Sequence, residues 1–225
     1  MRRFAISDIH GCLSAFKALL DLIGLSKTDE LFLLGDYVDR GPDVYGLLNY
    51  IIELQEQGYS ITALKGNHEQ MMINAVMQDG DLLQWMANGG RATLESYFPQ
   101  PEYQSTLKAH ILWLSRLPYY TTSPGYYLVH AGFNFRAPKP LEEKETMLWI
   151  RNWYNSFTPE ILNGNGIIHG HTPIGKDQII AMLDNWPQLP ILNIDAGCAY
   201  TSHPDLGHLC AFELGECRLF FVKNE

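Results

Sequence analysis

What this sequence has little of narrows it first. Sixteen Lys and Arg against 25 Asp and Glu leave a formal charge of −9 over 225 residues. With that sign and no basic run, the chain is not expected to be held on nucleic acid by counterion release. No apolar stretch nears the roughly 18 residues of a membrane helix, and Phe4-Ala5-Ile6 after Met1-Arg2-Arg3 is too short for a secretory signal. A cytoplasmic protein without membrane association is the expectation. Cysteine is scarce: Cys12, Cys198, Cys210 and Cys217 form no CxxC pair, so buried free thiols are expected rather than disulfides or a zinc knuckle. There is no repeat, low-complexity tract or linker, and the length suits one domain over residues 1–225.

What is there can build a core, since 46% of the residues are hydrophobic and 18% charged. Short apolar runs at Phe4 to Ile6, Leu31 to Leu34, Ile61 to Leu64, Tyr126 to Val129, Ile167 to Ile168 and Ile191 to Ile194 predict buried strands. Leu13, Phe16, Leu19, Leu20 and Ile23, then Val44, Leu47, Leu48, Ile51 and Leu54, recur at helical spacing between the first three. Strand and helix in alternation predict parallel crossovers. Leu209 to Leu214 and Arg218 to Val222, split by Gly215-Glu216-Cys217, predict a closing hairpin.

Each of five runs ends in a polar cluster. Ser7-Asp8-Ile9-His10-Gly11 follows the first, Gly35-Asp36-Tyr37-Val38-Asp39-Arg40-Gly41 the second and Gly66-Asn67-His68-Glu69 the third. His130-Ala131-Gly132 follows the fourth and Gly170-His171-Thr172-Pro173 the fifth. Strand ends of an α/β sheet lie along one edge, where ligands bind, so these side chains are expected to converge. One such fragment alone would mean little, because Asp, Asn and Gly also serve turns. Together, carboxylates, imidazoles and an amide without a thiolate make an oxygen and nitrogen cage for Mn, Fe, Zn, Co or Mg, and six donors suit two ions better than one.

These motifs resemble the metallophosphoesterase superfamily, and within it the PPP-type serine/threonine protein phosphatases. The run Gly66 to Ile73, with Asn88-Gly89-Gly90 and Gly170-His171-Thr172-Pro173, looks like the subgroup of the bacteriophage lambda phosphatase and its bacterial relatives. The resemblance implies an α/β fold of two mixed β-sheets packed together and flanked by helices, in α/β/β/α layers. It implies that Asp8 and His10 hold one divalent cation, that Asn67, His130 and His171 hold another, and that Asp36 bridges both. Manganese is the ion expected. Arg40 and Arg151 would grip phosphoryl oxygens, with Asn67 beside them. His68 would be the general acid, and Asp39 would fix its ring and favour its protonated form.

Ser7 stands where the signature has Gly, and Pro173 where many phosphodiesterases carry another ligating histidine. The Ser-Ala-Pro-Asn-Tyr stretch of eukaryotic members is missing. The implied activity is that of a bacterial serine/threonine protein phosphatase acting on phosphoproteins or phosphopeptides through direct attack of a metal-activated water. A symmetrical dinucleoside tetraphosphate hydrolase or a small-molecule phosphoesterase is the alternative. A scaffold that has lost catalysis is disfavoured, because every expected ligand position is filled. Local cations would reverse the repulsion between a −9 chain and a phosphate dianion.

His169, two residues before His171, would share its face on a strand and is a rival ligand. His110, His203 and His208 are expected on the surface or in loops. Trp85, Tyr97, Phe98 and Trp113 are expected to pack a helical insertion between Asp79 and Pro118, and Glu142 to Glu145 to form a solvated helix face.

Overall fold

A computed structural model describes residues 1–77 and 82–225. Asp79, the expected start of the insertion, lies outside the described residues. One mixed sheet contains β1 (Arg3–Ile6), β2 (Glu30–Leu33) and β3 (Ser60–Ala63), mutually parallel. The second contains β4 (Tyr120–Ser123), β5 (Tyr126–Val129), β6 (Gly166–His169) and β7 (Ile191–Asn193), with β4 antiparallel and the rest parallel. The closing hairpin, β8 (His208–Glu213) and β9 (Arg218–Lys223), completes the first sheet in the order β3-β2-β1-β8-β9. The order of the second is β4-β5-β6-β7. β4 was not expected from the sequence, because Tyr120-Thr121-Thr122-Ser123 has no apolar run and acquires its strand by pairing with β5.

Alternation along each strand explains the layers. Phe4 and Ile6, with Leu31 and Leu33, face α1 (Leu13–Ile23) and α2 (Val44–Glu56), whereas Ala5, Phe32 and Leu34 meet Leu128, Ile168 and Leu192 of the second sheet. Val129, Ile167 and Ile191 point the other way, to Phe133, Met147 and Trp153. Parallel strands buried on both faces read as continuous apolar runs for this reason. The insertion holds α4 (Leu82–Trp85), a π-turn at Met86–Gly90, α5 (Arg91–Tyr97) and α6 (Tyr103–Ser115), behind α3 (Asn67–Met77). α7 (Lys144–Trp149) and α8 (Lys176–Asp184) follow β5 and β6. No helix among the described residues is long and apolar enough to cross a membrane.

Several surface expectations are corrected. His110 is buried in α6, its Nδ1 2.5 Å from the Tyr97 hydroxyl, because α6 turns that face onto the core. His203 is exposed and His208 half-buried. Cys12, Cys198 and Cys210 are buried free thiols, but Cys217 is exposed at the β8–β9 turn. Phe98 is exposed, whereas Trp85 and Tyr97 are core.

One ion pair anchors the start of β1. The Asp29 carboxylate accepts from Arg2 Nε at 3.1 Å and Nη2 at 2.7 Å and from Ser26 N and Oγ, both at 2.9 Å, so its pKa is held far below the ordinary carboxylate range. A depressed carboxylate pKa contributes stability above the unfolded value of about 4 and loses it as pH falls below that. Asp29→Asn should therefore cost about 1 kcal/mol at pH 7, a charged hydrogen bond discounted for screening. The discount follows from Arg2, whose side chain is 41% exposed. Urea midpoints of the two proteins should converge as the pH is lowered from 4 toward 2; a gap that stays constant would refute the linkage.

Candidate metal centre and its rim

The loops after β1, β2, β3, β5 and β6 meet on one edge, and they do so in an uncommon backbone conformation. Asp8, His10, Asp36, Asp39, Arg40 and His171 have φ of 53°, 47°, 56°, 70°, 69° and 73°. Left-handed backbone at non-glycine residues costs about 1 to 3 kcal/mol each and persists only where the surroundings impose it. Here the effect is to aim carboxylates and imidazoles at each other instead of at solvent.

Two groups of donors result, sharing one residue. His10, Asp36 and His68 bring one ligand atom each within 4.8 Å of one another, and so do Asp36, His130 and His171. Asn67 Oδ1 is 2.9 Å from both His130 Nε2 and His171 Nδ1. Asp8 stands beside both groups. Its carboxylate accepts from the His171 N–H at 3.0 Å and from the Ser7 hydroxyl, so the Ser that replaces the usual Gly does place a donor on a candidate ligand.

Histidine tautomers show that the cluster fits cations. A carbonyl oxygen only accepts, so His10 Nδ1, 2.7 Å from Val38 O, and His130 Nδ1, 2.9 Å from Leu34 O, carry their protons on the outside. Their Nε2 lone pairs therefore point inward, the arrangement of metal-ligating histidines. Arg40 supplies a cation against two of these rings, with its guanidinium donating to His10 Nε2 and, at 2.8 Å, to His68 Nε2. His171 inverts the pattern: Arg151 Nε donates to its Nε2 at 3.2 Å, which leaves the proton on Nδ1, facing Asn67 and His130. To hold a cation there, His171 would give up that Nδ1 proton.

Electrostatics agree. Burial, then Asp8 and Glu69, push the Asp36 pKa well above the ordinary carboxylate value. Burial, then neighbouring positive groups, holds His10 well below the ordinary imidazole value and His171 at about 2. Crowded carboxylates and neutral imidazoles are the two halves of a hard-to-borderline cation site.

The profile of the calcineurin-like phosphoesterases matches residues 1–196. The chain belongs to the calcineurin-like phosphoesterase family. It is 35% identical over 139 residues to a symmetrical bis(5'-nucleosyl)-tetraphosphatase of Nitrosomonas europaea, over 59% of this chain and 45% of that protein. It is 28% identical over 183 residues to serine/threonine-protein phosphatase 1 of Salmonella typhimurium, over 77% of this chain and 79% of that protein. The chain thus spans about half the length of the tetraphosphatase. A metallophosphoesterase from Sphaerobacter thermophilus superposes with a TM-score of 0.57 at 20% identity, over 100% of this chain and 89% of that one, a likeness of fold.

Within this phosphoesterase the insertion buttresses the rim. His68 Nδ1 donates to Asp39 Oδ2 at 2.7 Å, and the Asp39 carboxylate also accepts from Thr93 Oγ1 at 2.7 Å and Trp85 Nε1 at 3.0 Å. Asn88-Gly89-Gly90 makes this possible. Gly89 has φ 110° and presses on Arg40, where a Cβ would come 2.8 Å from Arg40 Cγ; Gly90 leaves room for the Trp85 ring, 2.6 Å from where its Cβ would be. Trp85 is core, as expected, and it also positions the His68 partner. Burial, then Arg40 and His130, hold His68 at about 2, while burial lifts Asp39 to about 7.

His169 is not a ligand in this geometry. β6 ends at His169 and the left-handed His171 turns the chain, so the two rings part, and His169 Nε2 lies 2.8 Å from the Tyr154 hydroxyl. Three contributors escaped the sequence reading. Glu69 accepts from the backbone N–H of Gly66, Asp36, Tyr37 and Val38 and so shapes the Asp36 loop. Tyr200 lies under Arg40, with 5.3 Å from Cζ to its ring centre. Asp195, buried beside Asp8, follows β7 in Asn193-Ile194-Asp195-Ala196-Gly197, a sixth strand end with the same Asp and Gly signal.

Proposed function

We propose that this phosphoesterase uses two divalent cations, manganese first among them, to hydrolyse the central phosphoanhydride of a dinucleoside tetraphosphate. The observation that carries the chemistry is the pair of donor groups joined at Asp36, flanked by Arg40, Arg151 and the His68–Asp39 pair. Asp8, His10, Asp36, Asn67, His130 and His171 would hold the ions, with Asp36 shared. Bound, the ions would supply Lewis acidity and a water activated near neutral pH. Arg40 and Arg151 turn their guanidinium forks from imidazole nitrogens to phosphoryl oxygens when substrate enters. An anion beside His68 then raises its pKa, so that Nε2 donates a hydrogen bond to a departing phosphate oxygen and a proton to a departing alkoxide, while Asp39 holds Nδ1.

The substrate choice draws on the likeness to the Nitrosomonas europaea tetraphosphatase at 35% identity. A second reading, a serine/threonine protein phosphatase, is favoured by the longer match to the Salmonella typhimurium protein, 79% of its length. The two separate on kcat/KM of the chelator-stripped, manganese-reconstituted protein with diadenosine tetraphosphate and with a phosphoserine peptide. The expected result is a preference for the dinucleotide of tenfold or more, about 1.4 kcal/mol of transition-state binding. A tenfold preference for the peptide would establish the second reading instead.

A further inference from the structure

A groove of about 1090 Å³ opens beside the centre. One wall is Gln70, Met71 and Asn74 of α3, the helix that begins at Asn67-His68; another is Leu148 and Trp149, which lead into Arg151; Tyr119 lines it too. Both walls are thus continuous with residues that face the phosphate. The groove belongs to neither the metal cluster nor the arginine pair, and its size is that of a small-molecule site.

Three features specify the occupant. Trp149 is 39% exposed, a large apolar ring left at the rim, and it meets His171 edge-on with centroids 6.3 Å apart at 87°. Gln70 Nε2 donates to Asn74 Oδ1 at 2.7 Å, so this bond leaves the Gln70 oxygen as an acceptor and the Asn74 amide as a donor, side by side on one helix face. Such a pair matches the donor and acceptor on the edge of adenine. The charged lining is Lys144 flanked by Glu143 and Glu145, which disfavours a further run of phosphates or an acidic peptide there. A flat, uncharged, hydrogen-bonding ring satisfies all three, since bases stack on aromatic side chains whatever their sequence.

We infer that this groove binds the nucleobase of one substrate arm, stacked on Trp149 and read along its edge by Gln70 and Asn74. The inference rests on the dinucleotide reading above, and its test is separable from that reading. ADP and pyrophosphate, which share their phosphates and differ by the nucleoside, are compared as inhibitors of p-nitrophenyl phosphate hydrolysis by the manganese-loaded protein. ADP should half-inhibit at a concentration at least tenfold below pyrophosphate. Trp149→Ala should bring the two within about threefold, Trp149→Phe should restore most of the advantage, and Asn74→Leu should reduce it.

Equal inhibition by ADP and pyrophosphate in the wild type overturns the inference, and so does an ADP advantage that survives both Trp149→Ala and Asn74→Leu. Loss of phosphopeptide turnover in Trp149→Ala with ADP inhibition unchanged also overturns it and assigns the groove to a peptide. Poor turnover of diadenosine tetraphosphate beside a strong, Trp149-dependent ADP effect would instead retire the dinucleotide substrate and keep the base site.

Discussion

Replacing His68 by Asn should lower kcat on an alkyl phosphate by about 10² to 10⁴, the range of a general acid. It should lower kcat on diadenosine tetraphosphate much less. The reason is the leaving group: an alkoxide needs a proton to depart, whereas a phosphate oxygen released from an anhydride has a pKa of about 6 and leaves as an anion. The geometry supports this role because the imidazole is oriented by Asp39 at 2.7 Å and Asp39 in turn by Thr93 and Trp85. The structure also sets a stricter condition, since His68 lies in one donor group with His10 and Asp36. Manganese stoichiometry of the variant must therefore accompany its kinetics. Equal losses on the two substrates with both ions retained would remove the acid role; equal losses with an ion missing would make His68 a ligand instead.

Asp36→Asn should have the other large effect, and in two directions. Asp36 belongs to both donor groups, so its loss should weaken both ions and lower kcat by at least about 10² to 10³, the size of removing one electrostatic stabiliser. The same change should stabilise the metal-free protein by about 1 to 3 kcal/mol, because burial beside Asp8 and Glu69 disfavours ionisation of Asp36 on folding and an amide carries no such penalty. Manganese should raise the wild-type Tm through binding to the folded state and should leave the Asp36→Asn Tm nearly unchanged. Thermal melts with and without the ion, on both proteins, read this directly. A variant that is less stable without metal, or that keeps two ions and full activity, would show that Asp36 does not bridge.

Much of this centre was legible in the sequence. Strands buried on both faces announce themselves as apolar runs, and loops that carry Asp, His and Asn directly after them have one edge on which to meet; Asp8, His10, Asp36, Asn67, His130 and His171 are placed there by that logic. Two things obscured the rest. Trp85 and Thr93 lie in helices whose periodicity speaks only of packing, so nothing local signals that they hold Asp39, 46 and 54 residues away. Glu69 looks like a third member of the Asn67-His68 motif, but its four N–H partners belong mainly to the loop after β2.

By itself, then, the sequence determined the strand-and-helix alternation, the donor chemistry and the family, because each is written in local residue types and short spacings. Only the tertiary structure decided which histidine faces inward. His169 and His171 are two residues apart, and a single left-handed turn at His171 sends one to Tyr154 and the other to the candidate metal cluster. It also decided that two separate sheets supply the loops and that Trp149 stands at the rim of a groove. Those outcomes depend on backbone torsion and on contacts between distant segments, which a pattern of apolar and polar residues does not encode.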